Sequence, residues 1–386
     1  MRILHTADWH LGRTLHQADL SEDHREVLDF LVDLVAEREI DCVLVSGDVY
    51  DRALPSVRAV RQLHDVLSRL TEHADVILTA GNHDSATRLG FLEGLTSERL
   101  HLRTHPHSGR DPIHLISGAN EVWVFALPYL DVDEARRAFP DADGQLPERS
   151  HEAVLRAALA DLAPQIRTVR EHHPQAAIVI AAHAFVAGGS PADSERDIRV
   201  GGVDRVPVDV FTEVEPDYVA LGHLHRPQQV TPTVRYSGSP LAFSFSEVND
   251  TKSVTLLEFT GREVTFETIE TPVVHPLVER RGLLEDILHS EDVPAHAFVK
   301  VILTDTYRPR DYYLRVKERF ANLLSLTHEP EVAPERVDGV RAAQLHAPLD
   351  VVTSFLTQVT GAPPSETQRA LVRASVEELL AEERRS

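Results

Sequence analysis

VALGHLHRP, residues 219–227, closes an apolar run with a glycine and then sets two histidines one residue apart. The run reads as a strand, and what its end could need with two imidazoles decides how the remaining runs are read. Five others share its texture: MRILHTA, DCVLVSG, DVILTAG, VWVFALP and AAIVIAAH. Most are continuous rather than alternating, as expected of strands buried on both faces by flanking helices. Between the first two lies SEDHREVLDFLVDLVAEREI, where Ser21 can cap a helix carrying an apolar stripe of Val27, Phe30, Leu31, Leu34 and Val35. This is a βαβ pattern, so the fold class is α/β. After residue 230 the texture turns β-rich, in TVRYSGSP, KSVTLLEFTG and REVTFETIE, which would extend or cover the sheets.

The chain has 386 residues, 42% of them hydrophobic, enough for two or three domains. The N-terminal MRILHTADWHLG runs straight into a strand pattern, and no apolar run approaches the roughly 20 residues of a membrane helix. A soluble, cytoplasmic protein is expected. The single cysteine, Cys42, lies inside an apolar run and reads as a small buried hydrophobe, which argues against thiol chemistry. A net charge of −22 argues against gripping nucleic acid by positive charge spread over the surface, so any polyanion must be bound locally. Only Lys252, Lys300 and Lys317 are lysines. The remaining cations are arginines, suited to bidentate phosphate contacts.

A domain boundary is expected near TPVVHP, giving a first domain over 1–271. RGLLEDILH, HAFVKVILTD, RDYYLRVKERFANLL and SLTHEP then alternate helix and strand, a small α+β domain over 272–342. The tail, 343–386, reads as two helices joined by a Gly/Pro turn, with Ser365 and Gln368 spaced as a capping box. It could be a hairpin folded on its own domain or a partner-binding element.

Comparing strand ends gives the chemistry. Asp8 and His10 follow the first strand, Asp48 the second, Asn82, His83 and Asp84 the third; His183 ends AAIVIAAH, and His223 and His225 follow the quoted run. Residues beyond the carboxyl ends of parallel strands converge on one crevice. Each piece alone has an ordinary explanation: Asp48 and Asn82 as turn formers, His183 as a core histidine on a backbone carbonyl. Coincidence over five strand ends is harder to accept. Four histidines, two aspartates and an asparagine buried together are costly without cations, and two divalent ions would resolve that. Mixed imidazole and carboxylate donors suit manganese, iron or zinc, and the lack of thiolates argues against a structural zinc.

The set D-x-H, G-D, G-N-H-D, H and G-H-x-H resembles the calcineurin-like metallophosphoesterases. HTADWHLGRTL, GDVYD, GNHDSATRL, LGHLHRPQ and YSGSPLAFSFSE bring it near the DNA-repair nuclease subunits of that family. The likeness covers roughly residues 1–250. It implies a β-sandwich flanked by helices, a small α+β cap and a C-terminal helical hairpin. By resemblance, Asp8, His10, Asp48 and His225 hold one metal and Asp48, Asn82, His183 and His223 the other, with Asp48 bridging. The H-x-H spacing then makes sense, since alternate residues of an extended chain share a face and each histidine can serve a different ion. His83 would contact the phosphate and help the leaving oxygen depart, oriented by Asp84. Arg13, Arg52 and Arg88 flank the ligand loops and could meet neighbouring phosphates. The resemblance also implies a homodimer formed through helices near 55–70 and 88–97, although the stripe Val57, Val60, Leu63, Leu67 and Leu70 reads equally as core. An SMC-like coiled-coil ATPase is the implied partner, with Phe355, Leu356, Leu371, Leu379 and Leu380 as tail contacts. His101, His105, His107, His172 and His173 sit in loop-like surroundings and read as solvated surface.

Three alternative functions stand, the first of them implied by the resemblance. The first is a Mn2+-dependent (Mg2+ possible) DNA nuclease, a 3′ to 5′ exonuclease and single-strand or hairpin endonuclease for double-strand-break repair. The second is a small-molecule phosphodiesterase or phosphomonoesterase, and the third a catalytically silent scaffold. The cap, the tail and YSGSPLAFSFSE argue against the second, and the full ligand set with His83 against the third.

Overall fold

The apolar runs form two six-stranded sheets stacked face to face. In this computed structural model residues 1–94, 98–195, 205–330 and 348–383 are described, and the chain divides into two units, Met1–Leu277 and Val278–Ser386. In the first unit one sheet runs, edge to edge, Glu263–Glu270, Ser253–Thr260, Arg2–Thr6, Cys42–Val45, Asp75–Thr79 and Leu100–Arg103. The other runs Gln228–Thr231, Val234–Tyr236, Tyr218–Gly222, Ala177–His183, Asn120–Ala126 and Ile113–Ser117. Their centres are parallel; both margins of the second sheet and the Ser253–Thr260/Glu263–Glu270 side of the first are antiparallel, while the first sheet's other edge, Leu100–Arg103, pairs in parallel.

Alternation along each strand assigns its two faces. Ile3, Leu44 and Ile77 point between the sheets to meet Val124, Val179 and Ala220, whereas Leu4, Val43, Val45, Val76 and Leu78 pack outward under the helices Ser21–Glu37 and Val57–His73. The other sheet's outer face is covered by helix His151–His172 through Leu155, Leu159, Leu162 and Ile166. Continuity of the runs thus has a different cause from the one expected: helices bury one face only, and the second face is buried by the opposite sheet. The β-rich segments after residue 230 add strands to both sheets.

Two local readings are corrected. Ser21 is the first helical residue rather than the cap; its N–H donates to the Asp19 carboxylate at 2.9 Å. In helix Val57–His73, capped by Ser56, the buried stripe is Ala59, Leu63, Val66 and Leu70, while Val57 and Val60 are 69% and 45% exposed. The second unit holds a three-stranded sheet, Leu277–Gly282, Phe298–Leu303 and Leu323–His328, packed on short helices Leu284–Leu288 and Tyr312–Arg319. Its tail helices are Pro348–Thr360 and Glu366–Glu383. Ser365 and Gln368 do form the reciprocal box, at 2.8 and 3.3 Å. Among the described residues no helix is long and apolar enough to cross a membrane.

His5 joins the sheets across the dry interior. Its Nε2 faces the Leu221 carbonyl at 3.2 Å and must donate, so its Nδ1 accepts from the Tyr218 hydroxyl at 3.1 Å. Burial holds this imidazole neutral, with its pKa lowered to about 3. A histidine pKa depressed on folding contributes stability that is complete above about 6.5 and is lost as pH falls towards 3, at most roughly 5 kcal/mol. Urea unfolding from pH 7 to 4 should therefore show a shallower acid decline in His5→Gln than in the parent chain; equal slopes would remove His5 as a source.

Candidate metal centre

Parallel strands from both sheets deliver their carboxyl ends to one crevice, so the site lies between sheets rather than along one. The turns there are sharp. Asp8, His10, Asp48 and His223 adopt positive φ of 55, 46, 50 and 105°. Non-glycine residues hold such conformations only where surroundings over-determine them. Here the first two loops are laced together: Asp8 N–H donates to the Gly47 carbonyl at 3.0 Å, His10 N–H to Asp48 at 3.0 Å and Leu11 N–H to Val49 at 2.9 Å. Gly222 lets the histidine-bearing loop close on them, because a Cβ there would lie 1.9 Å from the Ser46 carbonyl oxygen.

The side chains converge on Asp48. His183 Nε2 lies 3.4 Å and His10 Nε2 3.6 Å from its Oδ2. His183 Nδ1 donates to the Ser46 carbonyl at 2.9 Å, and its Nε2 faces Asp48 and, at 2.9 Å, Asn82 Oδ1. Against burial, Asp48 and Asp8 raise this imidazole to about 9, so Nε2 carries a proton that a bound cation would displace. His223 Nδ1 is 3.2 Å from the same amide oxygen, and its backbone N–H donates to both oxygens of Asp8 at 3.0 and 3.1 Å. His10 Nε2 and His225 Nε2 face each other at 3.0 Å. Asp8, His10, Asp48, His183, His223 and His225 are all buried to within 3% exposure. Donor atoms of Asp8, His10 and His225, and of Asp8, Asp48 and His183, lie mutually within 4.8 Å.

The electrostatics mark a built cation site. Burial pushes the His10, His223 and His225 imidazoles down, His223 to about 3, and pushes Asp8 up. For Asp48 burial acts upward, but His183 and His10 overcome it and hold the carboxylate ionised. Two imidazole nitrogens at 3.0 Å with a carboxylate at 3.6 Å, all dry, fit shared divalent ions: neutral imidazoles present lone pairs and the aspartates balance charge. Oxygen and nitrogen donors without sulfur suit hard to borderline metals.

His83 stands at the mouth. Its N–H donates to Asp48 Oδ1 at 2.8 Å, and its ring is held by the Asp51 carbonyl, 2.8 Å from Nδ1, with Nε2 directed inward 4.0 Å from Asp48. Asp84 acts on backbone rather than on this ring, accepting from Gly81, Val49 and Tyr50 N–H at 2.8, 3.0 and 2.8 Å and so tying the second and third loops. Arg13, Asp51, Arg52 and His83 line an open groove of about 480 Å³. Arg13 is committed to Ser194 O at 2.7 Å and Asp51 at 3.4 Å, and Arg88 to Ala53 O at 3.0 Å. Arg52 also reaches Asp51, at 3.4 Å, but its side chain is 79% exposed.

Behind His225 lies a layer that the strand-end comparison does not reach. Its Nδ1 donates to Ser194 Oγ at 2.6 Å, which donates to Glu247 Oε1 at 2.6 Å; Glu247 pairs with Lys252. The Lys252 ammonium also donates to the His225 carbonyl at 2.8 Å, and Glu195 accepts the His225 N–H at 2.8 Å. Glu247 ends YSGSPLAFSFSE, and Lys252 is one of only three lysines; neither signal identifies the histidine they support. Elsewhere, His101 lies within strand Leu100–Arg103 on Asp75 rather than in a loop. Phe355 and Leu371 are 60% and 70% exposed and Leu356 is half-buried. The side chains of Leu379 and Leu380 lie outside the described residues.

Residues 1–227 match the family model described as calcineurin-like phosphoesterase. The chain is 37% identical over 289 residues to the SbcD subunit of the nuclease SbcCD from Bacillus subtilis (strain 168), covering 72% of each. Two solved structures are distantly similar. One is a dimetal phosphatase from Danio rerio, at 14% identity and TM-score 0.43, over 70% of this chain and 99% of that one. The other is the NAD nucleotidase of Haemophilus influenzae, at 12% identity and TM-score 0.40, over 85% and 64%.

Ser194→Ala should lower the affinity of one metal by about 10- to 100-fold, because His225 loses the group that sets its tautomer. Titration calorimetry reads the affinity, and unchanged binding would separate the relay from the metal. Glu247→Gln strands a buried ammonium and should cost about 3–5 kcal/mol of stability by urea unfolding.

Proposed function

Because the chain belongs to the calcineurin-like phosphoesterase family, and is on that ground a metal-dependent phosphodiester hydrolase, we propose that it is a DNA nuclease. On this reading it digests duplex ends 3′ to 5′ and cuts single strands and hairpins, uses Mn2+, and works with an SMC-like ATPase of the SbcC type in double-strand-break repair in the cytoplasm. One observation carries the proposal: six donors gather with Asp48 in one crevice while His83, which the resemblance leaves outside the ligand set, faces the groove beside them. The 37% likeness to a nuclease subunit supports DNA as the substrate.

Asp8, His10, Asp48 and His225 would hold one ion and Asp48, Asn82, His183 and His223 the other. Such a pair supplies, when bound, neutralisation of the scissile phosphate and a water of lowered pKa. The chain does the rest. Asp48 and Asp8 set the charge, while the carbonyl of Ser46 and the hydroxyl of Ser194 keep His183 and His225 in their binding tautomers. The Asp51 carbonyl requires a proton on His83 Nδ1, so only the doubly protonated ring would donate from Nε2, to a phosphate oxygen or to the departing 3′-oxygen, which leaves with that proton. Asp84 serves by keeping the loops of Asp48 and Asn82 in register. Arg52 is the exposed cation placed to meet flanking phosphates.

Leu54, Val57, Val60 and Phe91, at 72, 69, 45 and 78% exposure, are large apolar groups turned to solvent near the groove-forming loops. They support a homodimer through helix Val57–His73 and the segment around 88–94. In the second unit, exposed Phe355 and Leu371 support the ATPase as the tail's partner.

Cleavage of end-labelled duplex and hairpin DNA with Mn2+, Mg2+ or chelator tests the proposal. Expected are Mn2+-dependent cutting, a loss of about 10²-fold or more in His83→Ala with metal binding retained, and loss of both metals in Asp48→Ala. Turnover of free nucleotides exceeding DNA cleavage, with the partner present, would establish the small-molecule reading instead. Light scattering of Val57→Asp/Phe91→Asp should report a monomer; an unchanged mass would sink this dimer face.

A further inference from the structure

His173, which reads as solvated surface, is instead part of a second cluster on the outer margin of the second sheet. Its Nδ1 lies 2.8 Å from Glu121 Oε2, and His114 Nε2 lies 3.4 Å from that same oxygen. Donor atoms of all three residues fall within 4.8 Å of one another. They come from separate elements: His114 from the margin strand Ile113–Ser117, Glu121 from its neighbour Asn120–Ala126, and His173 from the C-terminal cap of helix His151–His172.

We propose that His114, Glu121 and His173 form a metal site distinct from the Asp48 centre, suited to a late first-row divalent cation such as Zn2+. Geometry is the first support. Zinc bonds of about 2.0–2.1 Å in a tetrahedral shell leave ligand atoms roughly 3.3–3.4 Å apart, close to the spacing of His114 from Glu121. The shorter His173 contact is a hydrogen bond that an ion would replace by displacing its proton.

Preorganisation is the second support. Trp123, opposite His114 in the strand register, stacks on its ring at 4.1 Å and 11°, and also meets His173 at 5.4 Å. The tryptophan fixes the plane of one imidazole and backs the other, so ligation orders little that is not already ordered. The side chains are 28, 36 and 37% exposed, leaving the outward positions of the shell for water. Donor chemistry is the third. Two imidazoles and one carboxylate, without the second aspartate of the main centre, favour the late end of the divalent series over Mn2+ or Mg2+. Bound there, an ion would tie the margin hairpin to the end of the helix that covers its sheet.

Zn2+ titration of the full chain, compared with His114→Ala/His173→Ala, tests this. About one equivalent fewer should bind to the double variant, and the rise in thermal midpoint on adding Zn2+ should be smaller. Glu121→Gln, which keeps an acceptor for His173, should fold normally and bind that equivalent at least about tenfold more weakly. Anomalous scattering at the zinc edge should place an ion between the three side chains. Equal stoichiometry and equal midpoint shifts in parent and variants would overturn the site, and none of these readouts depends on the DNA reading above.

Discussion

Desolvated charge where two sheets meet is the constraint on which the rest of this molecule depends. Two carboxylates and four imidazoles lie within 3% of full burial, and unpaired charge at such depth costs several kcal/mol per group. The arrangement is tolerable only if each side chain is oriented so that its remaining valence points at a shared cation. Backbone strain at Asp8, His10, Asp48 and His223 is the means of that orientation. An ordinary extended turn would carry these side chains past the crevice, whereas positive φ folds them back into it.

What holds one ligand comes repeatedly from the opposite sheet. Asp8, beyond a strand of the first sheet, is capped by the His223 N–H of the second; His183, ending a strand of the second, is oriented by the Ser46 carbonyl of the first. Deeper in, His5 reaches Tyr218 and Leu221, and the Ser46 hydroxyl donates to Ala220 O at 3.1 Å. The polar seam that positions the donors is thus also what sets the register of one sheet on the other. Apolar packing of Ile3, Leu44, Val179 and Ala220 would allow the sheets to slide, since dispersion is not directional. The hydrogen bonds do not allow it. Chemistry and fold specificity share the same atoms here, so a substitution at the seam is read in both.

Legibility from sequence follows the range of the physics. Residues at strand ends can be gathered because a strand's direction and the crevice rule are local to each run, and Asp8, His10, Asp48, Asn82, His183, His223 and His225 do meet. The stacking of a second sheet is hidden in the continuous runs themselves, since burial by a sheet and burial by a helix leave the same apolar trace; the motifs' resemblance is what implies the β-sandwich, which the two stacked sheets bear out. Ser21 misleads because Asp19 two residues earlier accepts both its N–H and its hydroxyl, so the hydroxyl is turned away from the first-turn N–H groups it would cap. Val57 and Val60 belong to a plausible helical stripe, but Ala59 and Val66 face the sheet instead, a rotation that periodicity over mixed small and branched residues does not fix. Ser194, Glu247 and Lys252 stay out of sight because their role arises only when two distant segments, around 194 and 247–252, fold behind one histidine.

The acidic composition fits a division of labour within the site. Arg13 and Arg88, adjacent to ligand loops, are spent on carbonyls and on Asp51, so the local cationic surface is narrower than the sequence suggests and Arg52 is its main exposed member. A protein of net charge −22 repels a polyanion at long range. On the nuclease reading proposed above, attraction must then arise within a Debye length, about 8 Å at physiological salt, of the crevice that would hold the metals. Metal binding would therefore govern substrate association as well as the chemical step. A partner that delivers the phosphodiester to the groove matters more for such a chain than for a basic one, because the protein's own field does not do the steering.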